Sequence, residues 1–177
     1  MRYHHDIEDM RAATITLKRA ELLYDIGQDS YTEGDLMPED SGHAQHLTQD
    51  IAECSQIDRT TRIMNLAYSE CVELLYSYTK VQIDKEEGLT LDDKLSEPEE
   101  YVFQLENLPA TVSATSIELL RNLLHEFIVC RVLQDRLDIT KAEVSGKWQA
   151  KLDEIKRGIS GVLGRRIKKV RRTLSPF

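Results

Sequence analysis

Few side chains in this sequence stand at spacings that chemistry requires. His43, His46, Asp50 and Cys54 follow one another at intervals of three, four and four, which would set four possible metal ligands along one side of a helix. That segment follows a loop-like stretch and no second cluster answers it, so the plainer reading is a polar, exposed helix with one inward cysteine. His4-His5-Asp6 is a weaker candidate still, because histidines near a chain end are usually solvated. His125-Glu126 opens like the zinc-protease helix motif, but one turn on stand Val129 and Cys130 where a second histidine is needed. Cys130 and His125, five apart on a helix, point in different directions and make a poor nucleophile–base pair. Gly158, Gly161 and Gly164 lead into Arg165-Arg166, yet the order is not that of a phosphate loop and no strand precedes it. No paired carboxylates, nucleophile–base set or cofactor loop emerges, which argues against an enzyme and for a chain without cofactor or metal.

Charge is distributed more pointedly than chemistry. The net charge of −8 divides into −16 for residues 1–154 and +8 for the rest, because no acidic residue follows Glu154. Lys156, Arg157, Arg165, Arg166, Lys168, Lys169, Arg171 and Arg172 supply the positive end. Such a run can neutralise several phosphates or dock on an acidic partner, but no aromatic residue interleaves it to stack bases. The acidic clusters at Asp84–Glu87, Asp92-Asp93 and Glu97–Glu100 read most simply as solvated loop.

The element that must position all this is Ser116–Leu137, free of Gly and Pro and apolar on two sides. Ile117, Leu120, Leu124, Phe127 and Ile128 form one face; Leu119, Leu123, Cys130, Leu133 and Leu137 form the other. A helix of this kind is the centre of a bundle or is covered in part by neighbouring subunits, which makes Leu119, Leu123, Leu133, Leu137 and Trp148 candidates for a subunit interface. His125, Glu126 and Arg131 each need a partner if buried, and Arg131 can pair with Asp135 one turn on.

Around that helix the pattern predicts a short strand at Ala13–Leu17, a helix over Lys18–Gly27, loop over Gln28–Gly42, and a modest helix over Gly42–Cys54. An amphipathic helix over Arg59–Lys80 follows, with Asp58 as its N-cap. Val81–Ile83 and Tyr101–Leu105 alternate with period two and predict a hairpin at about 81–105, its acidic loop projecting outward. Ser113 or Thr115 can cap the central helix. Asp138–Thr140 reads as a tight connection, Thr140 capping with Glu143. The last helix carries a stripe from Val144 through Trp148, Leu152, Ile155, Ile159 and Leu163 to Val170. Its three glycines predict a bend or fraying unless they admit a close neighbour.

The 177 residues contain 41% apolar residues, enough for one domain with a real core, and no run approaches the roughly 18 residues of a membrane span. The first residues lack the apolar core of a secretory signal. Cys54, Cys71 and Cys130, odd in number and each in a helical pattern, read as buried thiols.

Three phrases carry a likeness across most of the chain: L-L-H-E-F-I-V-C-R-V-L-Q-D-R-L-D-I-T-K, E-L-L-Y-D-I-G-Q-D-S-Y-T-E-G-D-L-M and the ending V-R-R-T-L-S-P-F. They resemble head–tail connector, or neck adaptor, proteins of tailed bacteriophages. The resemblance implies a mostly helical subunit that forms a ring, commonly of twelve copies, beneath the portal, continues the DNA channel and receives the tail or a further ring. It also implies a C-terminal segment, here Arg165, Arg166, Lys168, Lys169, Arg171, Arg172, Leu174 and Phe177, that reaches to the portal or a neighbour. The glycine triplet is not part of that likeness. The expectation is therefore a mainly α fold, a helical bundle with a long central and a long C-terminal helix plus a small β-hairpin or short sheet. Residues 1–164 would form an acidic connector domain and residues 165–177 a basic arm. Partners would be further copies, portal and tail proteins in the virion neck, and genomic DNA passing without sequence-specific contact; no membrane is implied. Two other classes compete, a nucleic-acid-binding module acting through the basic helix and a metal hydrolase around His43, His46 and Asp50.

Overall fold

The computed structural model describes residues 11–38, 42–53, 55–81, 89, 91–109 and 111–164. Its elements are β1 (Arg11–Lys18), α1 (Arg19–Asp35), α2 (Gly42–Gln49), a single 3-10 turn (Asp50–Ala52), α3 (Ile57–Leu74), α4 (Tyr76–Thr79), β2 (Glu100–Leu108), α5 (Ala114–Thr140) and α6 (Ala142–Gly164). The fold is mainly α, with a two-stranded antiparallel sheet laid on the bundle.

Alternation decides which face of the sheet is inward. Ile15 and Leu17 of β1 and Tyr101, Phe103 and Leu105 of β2 are buried, while Thr14, Thr16 and Lys18 face out. The register shifts between Arg11 and Ala13, where Asn107 takes φ 58. The extra residue in β2 inverts the alternation, so Leu108 still turns inward; Asn tolerates the left-handed conformation better than most residues. The expected strand at Tyr101–Leu105 is therefore present, and its partner among the described residues is β1. Val81 belongs to no strand, and Gln82 and Ile83 lie outside the described residues.

Helix α1 runs well past Gly27, into the stretch expected to be loop, as far as Asp35. Its small residues form a seam. A Cβ at Gly34 would meet Gln49 Cγ at 2.6 Å, and one at Gly27 would meet Ala52 Cβ at 3.6 Å. Ser30, fully buried, donates to Gly27 O at 3.0 Å. Gly27, Ser30 and Gly34 thus let α2 and the 3-10 turn approach the α1 backbone, and this packing outweighs the glycines' poor helix propensity.

Helix α3 starts after Gln56, with Asp58 inside its first turn and not capping it, and breaks at Leu75 before α4. Met64, Ala67, Cys71 and Leu75 are buried as the stripe predicted. Tyr68 stacks at 5.3 Å from Tyr101 and 4.8 Å from Phe103, so α3 lies against the sheet.

Helix α5 is the centre. Ser113 caps it by accepting from Ser116 N. Asp138–Thr140 continue it, so Thr140 is no cap: its Oγ1 lies 3.2 Å from Arg136 O, and the connection to α6 is Lys141 alone. One linking residue forces α6 to return antiparallel along α5. Trp148, Leu152, Ile155, Ile159 and Leu163 then bury against it. The helix stays continuous through Gly158, where a Cβ would stand 3.4 Å from Leu123 Cδ1; this glycine admits a close neighbour and does not fray the helix.

The outcome bears on the interface candidates. Helices α1, α2, α3 and α6 and strand β1 all pack on α5. Leu133 and Leu137 are fully buried and Trp148 is 5% exposed, so these three belong to the chain's own core and offer nothing to a neighbour. Leu123 is half-buried against Gly158; Leu119, at 50% exposure, alone among the five is open. The second apolar face exists because α6 covers it.

Candidate functional site

The most organised group of ionisable side chains lies where α1, α5 and α6 meet. Extension of α1 aligns Asp25, Asp29 and Glu33 one turn apart. Opposite them α5 brings His125 and Glu126, and α6 brings Lys147 and Lys151. Asp25 Oδ2 lies 2.7 Å from His125 Nε2, Lys147 Nζ lies 3.3 Å from Glu33 Oε1, and Lys151 pairs with Glu126. Every charge singled out in the central helix finds a partner, though not always the expected one. Arg131 pairs with Glu70 of α3 at 3.2 Å and Gln134 at 2.6 Å, while Asp135 pairs with Arg59 at 2.9 Å. The within-helix Arg131–Asp135 pair is thereby replaced by two bonds that tie α5 to α3.

Burial raises the Asp29 carboxyl above its usual range, against the pull of Lys151, with Glu126, Asp25 and Glu33 adding to the rise. Burial likewise pushes the Cys130 thiol up to about 12, and its Sγ sits 3.6 Å from Glu126 Oε1. Cys71 moves in the same direction for the same reason. A protonated thiol beside a carboxylate is no nucleophile at neutral pH. The seam therefore clamps three helices together and keeps the Cys130 thiol protonated. Lys147 and Lys151 also stand 5.6 and 5.0 Å from the Trp148 ring centre, covering the indole on its outer side.

A second polar group lies beneath the 3-10 turn. Thr60 donates to Ile51 O at 2.7 Å, Thr48 Oγ1 lies 2.9 Å from Thr140 Oγ1, and the buried Arg136 donates to Gln56 Oε1 at 2.9 Å. Burial and the nearby Arg59 both lower the Arg136 pKa from its usual value.

The acidic limb that precedes β2 is anchored at its base. Asn65 donates to Ser96 O at 2.8 Å, Arg19 reaches Glu97 at 3.4 Å, Arg62 reaches Asp93 at 3.7 Å, and Arg19 N donates to Glu99 O at 2.9 Å. Tyr101, whose phenol burial pushes up to about 12, donates to Asn65 Oδ1 at 2.8 Å and locks that anchor. Farther out, Val81, Leu89 and Leu91 are exposed.

His43 and His46 lie on the exposed side of α2, Cys54 is outside the described residues, and no three His, Cys, Asp or Glu side chains among the described residues converge to hold a metal ion. Arg165, Arg166, Lys168, Lys169, Arg171, Arg172, Leu174 and Phe177 also fall outside the described residues. Their root is visible: Lys156 Nζ sits 5.7 Å over the Phe127 ring and Arg157 donates to Asp153 O. From Gly158, beside Leu123, six more residues carry α6 about 9 Å further, alongside the first turns of α5. No described helix is long and apolar enough to cross a membrane.

Sequence reasoning missed Asp25, Asp29, Glu33, Lys147 and Lys151. The signal was the acidic row at every fourth residue, which is visible only once α1 is extended. Set beside known proteins, the chain matches no family model, no curated protein and no solved structure.

Proposed function

We propose that this chain is a non-enzymatic structural subunit of a tailed-phage neck. Copies of it would form a ring that joins the portal to the tail or to a further ring and continues the DNA channel. The observation that carries this reading is the separation of charge along the molecule. An acidic helical body of −16 ends in a helix whose last turns begin a +8 segment, and that helix leaves beside the start of α5. A strongly acidic wall repels phosphates, so DNA can slide past it. A cationic arm on the same chain gives each subunit a foothold on an acidic portal surface or on the body of the next copy. The phrases that resemble connector proteins supply the class. The apolar content of α5 is no part of the support, since the chain covers that helix itself.

Deleting Arg171–Phe177 tests the arm. The shortened chain should keep its helical circular dichroism and melting temperature but fail to enter particles. Normal incorporation would overturn the arm's role. If the full chain instead binds duplex DNA with an affinity that falls steeply with salt, and does not bind portal, a nucleic-acid-binding module would replace the connector reading.

A further inference from the structure

We draw no further inference here: the strongest candidate, the outer edge of β1 with the open groove beside it, carries nothing, because Glu21, Glu118 and Asp25 balance the Lys18 and Arg121 charges there and nothing in the structure shows what covers that edge.

Discussion

The α5–α6 hairpin and the β1–β2 sheet solve the same problem to different degrees. Each begins with more apolar and hydrogen-bonding surface than it can satisfy alone. In the hairpin, a one-residue link returns α6 along α5, and α1 and α3 cover what remains, so Leu120, Leu124, Phe127, Ile128, Leu133 and Leu137 are all fully buried. The sheet buries one face, but among the described residues it leaves the outer β1 edge unpaired and the limb before β2 with exposed leucines. The difference teaches where association should be sought. A helix apolar on two sides need not have a partner outside its own chain, whereas a short sheet with a free edge has bonding capacity left over.

The largest test of this contrast is a charge placed in each region. Leu133→Asp should abolish cooperative unfolding, and Leu133→Ala should cost about 2–5 kcal/mol in urea denaturation. Leu91→Asp should alter stability by no more than about 0.5 kcal/mol. A Leu133→Asp chain that melts normally but no longer associates would reverse the comparison.

Within the hairpin, Gly158→Ala should raise stability by about 0.5–1 kcal/mol, because the new methyl meets Leu123 at ordinary contact distance and the helix gains propensity. Loss of stability would mean that α6 approaches α5 more closely than that. Removal of the cap by Ser113→Ala should cost about 1 kcal/mol, read from the same denaturation curves.

The smallest effect concerns Asp29. Its folded carboxyl holds a proton more tightly than the unfolded one, so it favours folding fully only below the usual value of 3.8. That contribution is lost as pH rises through the folded value. Asp29→Asn should therefore raise the melting temperature slightly at neutral pH, and the gain should vanish in acid. A gain that grew in acid would contradict the assignment.

The fold was legible where periodicity was long. The α3 and α6 stripes, the two faces of α5 and the alternation of β1 and β2 all follow from residue spacing. What escaped depended on contacts remote in sequence. Gly27, Ser30 and Gly34 look like loop until α2 packs on them, and β2 pairs with β1, far away in sequence. Thr140 resembles a cap but stays within α5, where its hydroxyl faces the Arg136 carbonyl. The charged seam was half legible, since His125 and Glu126 announced a need for partners but not that α1 and α6 would provide them. The acidic body and basic end are plain in the sequence, because charge needs no fold to be counted.

The most direct test is the mass of the full chain in solution, alone and with portal protein. The account predicts a multiple of the 20.4 kDa subunit on the portal, formed by the chain alone or upon docking. A chain that remains a single copy in both samples would contradict it.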